Sequence, residues 1–117
     1  MTSINGQTQI VGLIGNNISL SKSFAMHNAA FEAMGINARY IPMSVSRDSV
    51  ADAIQGLRAL QFLGANVTIP FKRDVIPYLD NITETAKSIG AVNTILSQDG
   101  RLIGDNSDAN GFMRALE

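Results

Sequence analysis

Ala65-Asn66-Val67-Thr68-Ile69-Pro70-Phe71-Lys72 sets two polar residues inside an apolar run that stops at a proline. Ala65 to Ile69 is short and apolar, which suits a strand buried in a sheet. Asn66 and Thr68 interrupt it at alternate positions, so their side chains share one face. Polar groups there cost stability unless they find partners, and a structural hydrogen bond and a ligand contact are both open readings. Pro70 stands where a helix can begin, since proline is well tolerated at the first helical position. Phe71 to Leu79 is expected to be helical, with Pro77 limiting it.

The segments before this stretch alternate in type. Gln9 to Ile14 reads QIVGLI, a buried strand ending in the loop signal Gly15-Asn16-Asn17. Ser21 and Ser23 precede a helix whose face carries Phe24, Asn28, Phe31 and Met34, with Gly35 as its stop. Ala38 to Val45 is a second strand, and Pro42 argues for its end or for an edge. Asp48 or Ser49 can cap the next helix, whose apolar stripe is Val50, Ile54, Leu57 and Leu60, with Gly64 closing the segment.

After the stretch, Thr83 to Ile89 reads as a short helix capped by Thr83. Val92 to Ser97 and Arg101 to Gly104 flank Gln98-Asp99-Gly100, and Asp-Gly between apolar runs signals a hairpin. Asn106 to Glu117 reads as a final helix. The order β-α-β-α-β-α-α-β-β-α predicts an α/β fold: a three-layer domain with a mixed, mostly parallel sheet flanked by helices. Residues 1–117 are expected to form one domain, without internal repeat or linker.

Composition narrows the partners. Of 117 residues, 45% are apolar and 16% charged, with a net charge of -1, which is globular and carries no footprint for nucleic acid or a membrane surface. There is no cysteine, so disulfides and thiolate metal sites are excluded, and no metal site is expected. Met1 to Gln9 lacks a charged segment followed by an apolar run, so no signal peptide is expected. The expected location is the cytoplasm.

The polar clusters fall at strand ends, where open α/β sheets gather ligands. Ser21 and Ser23 can cap a helix or, with its free N–H groups, hold an anion such as a carboxylate. Lys72 is by default a solvated lysine, Asp108 a first-turn helix acid and Asn93 a turn residue. His27, the single histidine, reads as a packed or capping residue.

Taken jointly, four stretches resemble the shikimate dehydrogenase family. They are Ser21-Lys22-Ser23 with Met26 to Phe31, Asn66 to Lys72, Gly90-Ala91-Val92-Asn93-Thr94, and Gly104-Asp105-Asn106-Ser107-Asp108. They follow the family's S-x-S…MHN, NVTxPxK, GAVNT and GDNTD motifs in the same order, and the likeness runs from about Ile10 onward. The resemblance implies an α/β substrate domain, followed in the family by a Rossmann half that binds NADP. The implied reaction is the reversible reduction of 3-dehydroshikimate to shikimate, a step of chorismate and aromatic amino-acid biosynthesis. It implies that Ser21 and Ser23 hold the substrate carboxylate, and that Asn66, Thr68, Asn93 and Asp108 bond the ring hydroxyls. Lys72 and Asp108 would be the catalytic pair beside the reacting carbon. Reducing a ketone requires a proton to arrive, and a neighbouring aspartate favours the lysine ammonium. Lys72 is therefore expected to act as acid and electrostatic stabiliser in reduction, with Asp108 orienting it.

Several positions depart from the family pattern. Leu20 stands where histidine is common, Phe24 replaces proline, Ser107 replaces threonine, and Ala109-Asn110 alters the following turn. Leu20 and Phe24 flank the carboxylate serines, which keeps quinate and an amino analogue of shikimate open as substrates. No G-x-G-x-x-G follows a strand, and Gly12 and Gly15 do not fit one, so no cofactor-binding residue is expected here and the isolated chain is expected to be inert. A stand-alone module that binds a shikimate-like ligand without catalysis, and an interaction domain that kept only the fold, are the alternatives. The expected partner is a small molecule, shikimate or 3-dehydroshikimate, with a homodimer as the candidate assembly.

Overall fold

The computed structural model describes residues 3–16 and 23–107, and for Ser23, Phe24 and Met26 the backbone alone. Its elements are β1 (Gln9–Gly15), α1 (Ser23–Ala33), β2 (Ala38–Ser44), α2 (Val50–Ala59), β3 (Gly64–Val67), β4 (Asn81–Ile82), α3 (Glu84–Ile89), β5 (Thr94–Gln98) and β6 (Arg101–Asp105). Single 3₁₀ turns at Arg47–Ser49 and Ile76–Tyr78 lead into α2 and towards β4.

One sheet carries all six strands in the order β2-β1-β3-β5-β6-β4. β1 runs parallel to β2 and β3, and β4 parallel to β6, while β3–β5 and β5–β6 are antiparallel. The sheet is therefore mixed with parallel pairs in the majority, as the alternation of elements predicts. Pro42 sits on β2, an edge strand. The reason is visible two residues earlier. Tyr40 turns its backbone N–H and C=O away from β1, onto the Asn28 side chain of α1, at 2.7 and 2.9 Å. Pro42 has the same parity, so the N–H it lacks would face outward and no ladder bond is lost.

Alternation splits the sheet into two faces. Ile14, Ala65, Val67, Ile95 and Leu102 meet Val50, Ile54 and Leu57 of α2, Ala86 of α3, and Phe71, Val75 and Val92 in one apolar core. The opposite face brings Val11 beside Tyr40, and Leu13 and Thr94 beside Asn66. There α1 packs on β2, with the His27 ring stacked on Tyr40 at 4.2 Å. Helices thus lie on both faces, giving three layers.

Several local expectations hold. Gly35 ends the α1 segment with φ 69°, and the Thr83 hydroxyl accepts from Ala86 N to cap α3. Asp99 and Gly100 both take positive φ (52° and 79°), the signature of a tight hairpin turn between β5 and β6.

Others are corrected. Residues 71–79 do not form a helix; they make turns and the 3₁₀ turn Ile76–Tyr78. Phe71 and Val75, both fully buried, imitate helical spacing because each is a core anchor, and Pro77 supplies no N–H to extend the winding. Pro70 accordingly starts no helix, and the Ile69–Pro70 peptide is cis. Gly64 does not close α2. Gln61 takes the left-handed conformation instead (φ 57°), and Gly64 opens β3. A Cβ at Gly64 would lie 2.3 Å from the Ile95 carbonyl oxygen, so the glycine is there for close approach of β5. Ser49 occupies the α2 cap position but makes no capping bond; the 3₁₀ turn before it leads in. The two-residue β4 had no counterpart in the sequence reading. The expected final helix falls almost entirely on residues 108–117, outside the described residues.

Candidate functional site

The ends of β3 and β6 and the start of β5 come together on one margin of the sheet. Asn66 is half-buried on β3, and Asn93 immediately precedes β5. Val67 N donates to the Asn93 carbonyl at 2.8 Å, which fixes the two strands in register at this point.

Side-chain bonds then knit the margin together. The Asn93 Oδ1 accepts from Thr94 Oγ1 (2.9 Å), Ser107 N (2.9 Å) and Ser107 Oγ (3.3 Å). Three donors on one oxygen fix the amide orientation, so Nδ2 must point the other way. Among the described residues Nδ2 has no partner, and no fully buried side-chain N or O atom lacks one, so Nδ2 reaches the surface. Asn66 Nδ2 faces the Asn93 carbonyl and Thr94 Oγ1, both at 3.4 Å, and its Oδ1 accepts from the Tyr40 hydroxyl at 2.9 Å. Thr68 lies one residue beyond β3, anchored by its N–H to the Ile14 carbonyl at 2.9 Å.

Lys72 sits in the turn that replaces the expected helix. Its carbonyl accepts from Val92 N at 2.7 Å, which seats this turn next to Asn93. Phe71 is fully buried on one side of Lys72. On the other, Asp74 pairs with Arg47 at 2.5 Å, and the Arg47 guanidinium lies over the Phe71 ring at 5.7 Å. The exposed ion pair adds little stability by itself. Its effect here is to tie the lysine turn to the segment after β2.

Asn66, Thr68, Lys72 and Asn93 are thus brought to one margin. Ser21 and Asp108 lie outside the described residues, and so does the side chain of Ser23, whose backbone opens α1. Tyr40 was missed: nothing in ARYIPMS marks one aromatic as reaching across the sheet. His27 stacks on Tyr40 while the residue stays exposed. Asp105, a motif member without an expected role, accepts from Thr83 Oγ1 at 2.6 Å and from Asn106 N at 2.8 Å, joining the α3 cap to the end of β6.

Elsewhere, a concavity of about 380 Å³ includes Gln9, Arg58, Gln61 and Ser97. Its one guanidinium is already bonded to Asp80 and the Tyr78 carbonyl, so it offers no unspent charge. A smaller hollow, about 150 Å³, opens on the sheet face at Asn66 and Thr94 and touches the polar network directly. Among the described residues no three His, Asp or Glu side chains converge to hold a metal. No described helix is long and apolar enough to cross a membrane. Among the described residues, Gly12 lies within β1 and Gly15 closes it, and a Cβ on Gly12 would meet Met43 Sδ at 3.1 Å, so Gly12 serves packing of the sheet rather than the turn of a dinucleotide motif.

Residues 13–95 match the family described as the shikimate dehydrogenase substrate binding domain. The NADP(+)-dependent shikimate dehydrogenase of Salinibacter ruber is 51% identical over 114 residues, covering 97% of this chain and 40% of that protein. A shikimate dehydrogenase crystallised with NADP+ superposes with a TM-score of 0.93 at 45% identity, over 99% of this chain and 40% of that one. The shikimate 5-dehydrogenase of Listeria monocytogenes, crystallised with shikimate and NAD, gives a TM-score of 0.93 at 40% identity, again over 99% and 40%. The chain therefore spans about 40% of the length of these relatives. The matched segment contains Asn66, Thr68, Lys72 and Asn93 together, and on it the chain belongs to the shikimate dehydrogenase family, as a substrate-binding domain.

Proposed function

We propose that, within its whole protein, this chain grips shikimate and 3-dehydroshikimate and handles the proton of an NADP-linked oxidoreduction. The observation that carries the reading is the margin itself. A closed polar network holds Asn66 and Asn93 in fixed orientations and leaves Asn93 Nδ2 unspent, beside the turn that carries Lys72. Unspent, oriented donors suit a ligand rich in hydroxyls, because a site built for such bonds rejects analogues that lack them.

In this reading Asn66, Thr68, Asn93 and Asp108 bond the ring hydroxyls, and Ser21 and Ser23 take the carboxylate at the start of α1. Lys72 donates a proton to the carbonyl oxygen as it becomes an alkoxide and, in the reverse direction, receives the proton of the hydroxyl. Asp108 orients the ammonium. NADP would be bound by a part of the protein other than these residues, and it supplies the hydride chemistry. The cytoplasm is the proposed location.

Lys72→Ala in the complete natural protein tests the assignment. Proton transfer contributes about 10²–10⁴-fold to rate, so kcat should fall by that order while KM changes far less. An unchanged kcat would reject Lys72 as the proton donor.

A further inference from the structure

We propose that Tyr40 is a positioning residue for substrate recognition, its hydroxyl fixing which end of the Asn66 carboxamide is offered to the ligand. The inference rests on the substrate-binding reading above. The amide polarity follows from bonding rules. The Asn93 carbonyl can only accept, and it lies 3.4 Å from Asn66 Nδ2. Thr94 Oγ1 gives its one proton to Asn93 Oδ1, so towards Asn66 it also accepts, again at 3.4 Å. Both neighbours on the β5 side therefore require Nδ2. Oδ1 is left facing β2, where Tyr40 donates to it at 2.9 Å.

The lengths separate anchor from working end. The Tyr40 bond is of ordinary strength, whereas the two Nδ2 contacts sit at the long limit. Nδ2 can turn its protons onto a ligand oxygen without losing a strong bond; Oδ1 cannot leave Tyr40 so readily. Tyr40 is itself immobilised. It is 3% exposed, its backbone is held on both polar groups by Asn28, and its ring is stacked by His27 at an interplanar angle of 11°. Asn28 and His27 both belong to α1, so the same contacts join the helix that opens at Ser23 to the donor on β3. Without the tyrosine hydroxyl, the Asn66 carboxamide keeps only its two 3.4 Å contacts, and the orientation that offers Nδ2 is held less firmly.

Tyr40→Phe retains the ring and its stack and removes the hydroxyl that bonds Asn66 Oδ1. Two readouts apply to the complete natural protein. One is the Asn66 side-chain ¹⁵N–¹H₂ signal pair, assigned by its loss in Asn66→Ala. The other is shikimate binding by calorimetry, with steady-state kinetics, for wild type, Tyr40→Phe, Asn66→Ala and the double variant. The Asn66 signals should move and exchange faster with water in Tyr40→Phe. Shikimate affinity should fall about tenfold, with KM raised alike and kcat nearly unchanged, because one partly buried hydrogen bond is lost equally in ground and transition states. In the Asn66→Ala background Tyr40→Phe should add nothing. A second tenfold loss there would mean the hydroxyl meets the substrate itself, and would overturn the positioning role. Unmoved Asn66 signals overturn it as well, whether or not shikimate binds. Moved signals in a protein that does not bind shikimate would reject the substrate reading and uphold the orientation of Asn66 by Tyr40.

Discussion

The two faces of this sheet use the same strands for opposite purposes. On one, Ile14, Ala65, Val67, Ile95 and Leu102 are at most 3% exposed and pack into one apolar core. On the other, Tyr40, Asn66 and Thr94 place hydroxyls and a carboxamide where a core would put methyl groups. The first face gains its stability from burial, which is non-directional and grows with area. The second buries Leu13 and Tyr40 as well, but its polar atoms are tolerable there only because they satisfy one another. Among the described residues, no buried side-chain N or O is left unpaired. Direction is what the second face adds: each amide has one permitted orientation, which is a requirement for recognising hydroxyls and not for folding. Substitutions on the two faces should therefore fail in different ways.

The largest effect is expected at Phe71, which is 0% exposed in the core yet adjacent to Lys72. Phe71→Ala should cost about 3–5 kcal/mol of stability by urea unfolding, since the void is only partly refilled. It should also impair the reaction, because the turn carrying Lys72 loses its anchor. A variant that keeps its stability but loses activity would break the division drawn here, by making Phe71 a site residue rather than a core residue.

How much of this was legible follows from how local each feature is. The Asp99-Gly100 hairpin and the Thr83 cap need only their own neighbours, and both were readable. Asn66 and Thr68 stood out because polar residues inside an apolar strand demand a reason. Gly64 was misread because its constraint is the Ile95 carbonyl, 31 positions away in sequence and adjacent only once β3 and β5 pair. Tyr40 was invisible for the same cause: its partner Asn66 is 26 residues on, two strands away in the sheet. Residues 71–79 misled in another way. Anchors at i and i+4 look helical whether a helix or a turn presents them, and Phe71 and Val75 satisfy the core from turns.

Thr94 tests the polar face at intermediate strength. Thr94→Val keeps the shape and removes the donor to Asn93 Oδ1 and the acceptor for Asn66 Nδ2. Asn93 Oδ1 keeps its two donors from Ser107, so stability should fall by only about 1 kcal/mol. Shikimate affinity should suffer more than stability, read by calorimetry beside urea unfolding. A stability loss matching that of Phe71→Ala, with affinity intact, would show that this network is structural and that the contrast between the faces is one of composition alone.

The smallest effect belongs to neither face and marks their common edge. Asp80 accepts from Leu102 N at 2.7 Å and from Arg58 at 3.0 Å, clipping the start of β6 to α2. The Leu102 backbone bond, with Arg58 beside it, holds the Asp80 carboxyl below the usual aspartate range. A carboxylate whose folded-state value is lowered binds protons more readily in the unfolded chain, so stability rises with pH through that window. The contribution is complete above the ordinary aspartate value and is lost as pH falls through the lowered one. Solvent screens this exposed pair, so the change should be small. Urea midpoints measured from neutral pH downward should fall for the wild type across the acid range. They should fall less for Asp80→Asn, with the two curves converging at the acid end. Parallel curves over the whole range would mean that the Asp80 charge contributes nothing at this edge, and that the Leu102 and Arg58 bonds serve only to place β6 against α2.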